Sequence, residues 1–167
     1  MNELILSDYL SYKDFKSEKE LEVFNQIIYE CDPKKMKDNG FADIFDTFMS
    51  GFVKPAPIWH DTLHENIFHR LFPFLEKQVV IGLGKGSYEK YKVKKYTLDF
   101  FNREDNIAWE IDGKSHISKI QKLKDEKRDI VLFIEFGIET KRVTNKFVEE
   151  LLLERIRKSK VVEMLGN

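Results

Sequence analysis

The sequence predicts an α/β domain with a mixed sheet, and three observations lead there. Apolar residues fill 42% of the 167 positions and aromatics 13%, enough to bury a core. From residue 58 onward the apolar spacing switches between the helical 3.6-residue repeat and the two-residue repeat of strands. The resulting order is helix, three strands, helix, strand, helix, which indicates an α/β sandwich.

The first 57 residues read as a helical N-terminal extension. Ser17 and Glu20 form a capping box ahead of Leu21, Phe24, Ile27, Ile28 and Cys31 at helical spacing. Asp32-Pro33 breaks that pattern, and Phe41, Ile44, Phe45 and Phe48 resume it up to Gly51. Lys54-Pro55-Ala56-Pro57 marks the boundary with a core over 58–167, because two prolines interrupt any helix or strand. Residues 61–72 form the first core helix, with Leu63, Ile67 and Leu71 on one stripe. Strands follow at 77–83, 96–102 and 107–112. A long helix spans about 118–136 and stops at Gly137, a residue suited to a C-cap. A short strand, 139–143, leads into a last helix over about 145–159.

The bulk properties narrow the functional classes. A net charge of −1 sets up no whole-molecule field for nucleic acid, so phosphate binding has to come from local clusters. Cys31 is the single cysteine, which rules out an internal disulfide and a cysteine zinc site and suits a reducing compartment. Met1 to Leu10 shows no secretory pattern, and the longest aliphatic run, Ile130 to Ile134, is far short of the ~20 residues of a membrane span. The expectation is a cytoplasmic protein with no membrane partner.

Residues 97–112 carry the most chemistry. Polar turn residues separate two β-rich runs, so a hairpin centred between Glu104 and Asp105 is expected. That register sets Asp99 opposite Glu110, Phe100 opposite Trp109 and Leu98 opposite Ile111. Alternation then gives one face Leu98, Phe100, Ile107, Trp109 and Ile111. The other face receives Thr97, Asp99, Phe101, Ala108, Glu110 and Asp112, so three carboxylates converge. Like charges at cross-strand distance repel, and a cation or a retained proton relieves them. Mg²⁺ takes oxygen ligands, often one or two carboxylates plus substrate phosphate, so the cluster suits a divalent ion meeting a phosphodiester. Gly113 then allows a sharp turn from which Lys114 and His116 reach back over the acids.

Leu98-Asp99-Phe100 followed by Glu110-Ile111-Asp112-Gly113 and His116 resembles the PD-(D/E)XK nuclease superfamily, in particular small proteins related to very-short-patch repair endonucleases. Glu65 on the preceding helix, Gln78 opening the first strand, Asp125 and Arg128 as a D-x-x-R pair, Gly137 and Arg142-Val143 extend the resemblance over residues 61–143. It implies a restriction-endonuclease-like three-layer core, αβββαβα, and Mg²⁺-dependent phosphodiester hydrolysis with Mn²⁺ as a substitute. Asp99 and Glu110 would then be metal ligands supported by Glu65. The superfamily pattern has a lysine where this chain has Asp112, so the resemblance passes the catalytic cation's role to Lys114 or His116.

Two other motifs carry less. His64-Glu65 with His69 misses the HExxH zinc signature by one residue, since a five-residue step turns about 500° and leaves the histidines off-face. Gly82-Leu83-Gly84-Lys85-Gly86 lacks the ending of a phosphate loop, is followed by strand-like sequence in place of a helix, and reads as a strand connection. Its continuation interleaves Lys85, Lys90, Lys92, Lys94 and Lys95 with Tyr88 and Tyr91, a pattern able to neutralise phosphates and stack on bases. The expected function is a metal-dependent DNA endonuclease or nickase, with RNA as the alternative polymer. The rival is a catalytically inactive nuclease-derived module that binds nucleic acid or protein. The N-terminal helices offer a surface for a protein partner or self-association.

Overall fold

The computed structural model describes residues 5–34, 62–113 and 118–159. They fall into two compact units, the first holding residues 1–71 and 146–167 and the second residues 72–145. The predicted boundary at Lys54–Pro57 and the apolar pattern at 41–48 lie outside the described residues.

The first unit is helical. Ser17 accepts a hydrogen bond from the Glu20 N–H and caps α1, Glu18–Cys31, as the capping-box spacing predicts. The reciprocal half differs: Glu20 accepts from the Lys16 N–H and from Arg157 rather than from Ser17. α2, Leu63–Leu71, buries Ile67, Phe68 and Leu71, and α5, Asn145–Lys158, buries Val148, Leu152, Leu153 and Ile156. Buried polar groups tie two of these helices to the N-terminal segment around Ser7. Glu149, 1% exposed, accepts a bond from the Ser7 hydroxyl and lies 2.9 Å from His64 Nε2.

The second unit is a four-stranded mixed sheet with a helix connecting its last two strands. Its strands are β1, Glu76–Gly82; β2, Lys95–Asn102; β3, Ile107–Asp112; and β4, Glu139–Thr144. They lie in the order β1-β2-β3-β4. The first two pairings are antiparallel and β3–β4 is parallel. A parallel pair needs a crossover, and α4, Lys119–Phe136, supplies it. Ser118 caps α4 by accepting from the Gln121 N–H, and Gly137 ends it in the left-handed conformation at φ 67°. An α/β class with a mixed sheet is therefore present.

Two local expectations are corrected. The Tyr- and Lys-rich connection after β1, read as strand-like, contains a short helix, α3, Ser87–Tyr91. Gly86 and Lys92 bracket it, both in the left-handed region, so it starts and stops within two turns. The strict alternation assigned to β2 also fails. Leu98 packs in one apolar cluster with Phe101, Ala108, Leu132 and Ile138, although alternation separates Leu98 from Phe101. The interruption falls at Asp99. The ladder pairs Phe100 with Trp109, Phe101 with Ala108 and Asn102 with Ile107, as the predicted register requires, but does not continue to Leu98 and Ile111. On the other side, Gln78 stands at φ 50°, between the paired residues Lys77 and Val79.

Candidate active site

The Asp99 row is where backbone pairing gives way to carboxylates. The Ile111 N–H donates to Asp99 Oδ2 at 3.0 Å, and the Asp99 N–H donates to Glu110 Oε1 at 3.3 Å. Each acid thus takes a main-chain donor from the neighbourhood of the other, which fixes both side chains. The result is a carboxyl pair on adjacent strands, with Glu110 buried at 6% exposure. Burial first, and then the charge of Asp99, push Glu110 up to about 8, against the pull of Arg128. Near neutral pH Glu110 therefore holds a proton.

Arg128 on α4 faces this pair. Its Nη2 lies 3.2 Å from Glu110 Oε2, and its side chain is only 17% exposed. One arginine opposite a carboxyl pair that sheds one charge by protonation leaves little net charge. Burial is tolerated for that reason. A second arginine, Arg142 on β4, organises the next acids along. It donates from Nε and Nη2 to both oxygens of Asp129, at 3.2 and 2.9 Å, and from Nη1 to Asp112 at 3.3 Å. Asp125 lies 3.9 Å from Arg142.

The sequence-predicted residues distribute as follows. Asp99 and Glu110 are brought together, while the ion pair of Asp112 is with Arg142. Glu65 belongs to the first unit, buried on α2 with its N–H bonded to Thr62 Oγ1. Lys114 and His116 lie outside the described residues. Of the proposed nucleic-acid contacts, Lys85, Lys92, Lys94, Lys95 and Tyr88 are exposed. Glu135 of α4 engages the other two, accepting from Tyr91 and pairing with Lys90 at 3.3 Å. His64 is spent on Glu149, which gives it a structural partner in place of a zinc.

Sequence reasoning missed Asp129, and met Arg128 and Arg142 only through the family resemblance. Their signal in the chain is faint: Asp125, Arg128, Asp129 and Leu132 share one helical face at spacings of three and four. Among the described residues no group of three or more His, Cys, Asp or Glu side chains is arranged to hold a metal ion. No described helix is long and apolar enough to cross a membrane. No protein-family model, no curated protein and no solved structure matches the chain.

Proposed function

We propose that this chain is a divalent-metal-dependent phosphodiesterase acting on DNA, on a restriction-endonuclease-like core. The observation that supports it is the carboxyl pair, Asp99 and Glu110, locked by reciprocal main-chain hydrogen bonds on neighbouring strands. A fold that needs only a sheet has no use for two acids in contact, one of them buried, since each raises the cost of ionising the other.

Two carboxylates also match what Mg²⁺ characteristically takes from a protein, the rest of its shell being water and phosphate. Asp99 and Glu110 would hold the ion. When bound, such an ion acts as a Lewis acid and lowers the pKa of a water to yield a hydroxide nucleophile. The chain's own groups do the positioning. Main-chain N–H groups hold the two acids in place, and Arg142 takes up the charge of Asp112. The exposed lysines 85, 92, 94 and 95 supply the cationic surface that a low net charge otherwise lacks. Lys114 and His116 are the further candidates for proton transfer.

Nicking of supercoiled plasmid DNA with Mg²⁺ or Mn²⁺ tests this reading. Asp99→Ala and Glu110→Ala are each expected to abolish turnover, and nicking that survives both would overturn it. Lys114→Ala and His116→Ala, assayed alongside, report which of the two assists the water.

One observation favours a second reading, a module that binds without cleaving. Arg128 already stands against Glu110, so a cation of the protein's own fills part of the role a metal would take. Calorimetry with Mn²⁺ separates the two, because the binding module predicts no heat that depends on Asp99.

A further inference from the structure

We propose that Arg128 is the phosphate-binding residue of this site, held on Glu110 until a nucleic-acid phosphodiester draws it away. The inference rests on the phosphodiesterase reading above and adds a ligand for a residue that reading leaves as a counter-charge.

The two arginines near the acids differ in how their donors are met. Arg142 forks onto Asp129 with two aligned hydrogen bonds and reaches Asp112 with a third group. Such a guanidinium is structurally committed. Arg128 is not. Its Nη2 comes within ion-pair distance of Glu110 and its Nε within 3.7 Å of Asp129 Oδ1, yet neither nitrogen has an acceptor in hydrogen-bonding geometry. Both atoms are buried from solvent. Buried donors without acceptors are unfavourable, so the arrangement is one that an added acceptor would improve.

The chemistry of that acceptor follows from the surroundings. A guanidinium offers a planar fork matched to two oxygens of one anion. Asp129 is taken by Arg142, and Glu110 Oε2 lies 3.2 Å from Arg128 Nη2 without an aligned hydrogen bond. A phosphodiester approaching Asp99 and Glu110 meets two acids and needs a local cation to come close. Arg128 is the cation in place. Its transfer from Glu110 to phosphate would leave Glu110 free for a divalent ion. Nucleic acid and metal should then strengthen each other's binding, by the same factor in either order.

The test is Mn²⁺ affinity of the full chain, measured by calorimetry with and without a short phosphorothioate DNA duplex. In wild-type protein the duplex is expected to tighten Mn²⁺ binding about tenfold, within the usual range of such coupling. Arg128→Gln should bind Mn²⁺ without duplex at least as tightly as wild type, and the duplex should no longer tighten it. Arg128→Lys keeps a positive charge facing the carboxyl pair, which should retain the fold, but it loses the fork and should lose most of the coupling. Full tenfold coupling in either variant would overturn the inference while leaving the metal site standing. Mn²⁺ binding that is absent throughout, or indifferent to Asp99→Asn, would overturn both.

Discussion

Glu110 combines two things that proteins usually keep apart: burial and a neighbouring carboxylate. With burial and Asp99 raising it from 4.5 to about 8, the folded protein binds a proton that the unfolded chain has released. Folded metal-free protein is therefore favoured at the acid side of that window, and its stability should fall as pH rises from about 5 to about 8, then level off. Chemical denaturation in chelator across this range measures the slope, and Glu110→Gln should flatten it and stabilise the protein at pH 8. A slope unchanged in Glu110→Gln would show that another group titrates. The meeting of Asp99 with Glu110 was legible in the sequence from the turn length, a local property of a hairpin, although the alternation expected there breaks at Asp99. Their counter-charges were not. Arg128 and Arg142 are 18 and 32 residues from Glu110 in the chain, counting along its numbering, and only the docking of α4 and β4 brings them there.

At the scale of elements, the ends of α4 decide where Arg128 stands. The helix begins at the Ser118 cap and ends at Gly137, whose N–H bonds to the Phe133 carbonyl. Asn106, in the hairpin turn at φ 56°, donates from its side chain to the Phe136 carbonyl, and its own carbonyl accepts from Glu139. One turn residue thus seats the helix end against the β2–β3 hairpin. Gly137→Ala should cost about 1–2 kcal/mol, because an alanine in the left-handed region is strained. Its Cβ would meet Asn106 Nδ2 at an ordinary 3.5 Å, so crowding adds little. Thermal denaturation checks this. The Gly137 cap was legible, being written in a single residue at the helix end. The short α3 was not, since its five residues, Ser-Tyr-Glu-Lys-Tyr, lack an apolar stripe and depend on the flanking left-handed turns and on Glu135. The break in alternation at Asp99 was equally hidden. A carboxylate that takes a neighbouring strand's N–H changes the pleat without changing the apolar pattern.

Across the whole molecule, chain order and spatial order part company. The first unit is closed by residues from both ends of the sequence, and Glu149 joins them by accepting from Ser7, 142 positions away, and by contacting His64. Composition and periodicity gave the helices of this unit but no hint of that closure, which depends on a side chain nominally unsuited to a core. Glu149→Ala leaves Ser7 and His64 without their shared acceptor and should destabilise the protein by about 3 kcal/mol, as losing one partner of a buried polar pair does. Glu149→Gln, which retains an acceptor, should cost less. Denaturant titration of both variants checks the order.

The parallel pairing of β3 with β4 has a consequence for how the protein is made. The hairpin bearing Asp99 and Glu110 is complete once residue 112 has been synthesised, whereas the helix and strand bearing the two arginines come later in the chain. Until then both acids must stay hydrated. The crossover helix therefore delivers apolar cover through Leu132 together with Arg128, and the strand after it delivers Arg142. Biosynthesis from the N-terminus keeps this pocket wet until its neutralising charges arrive.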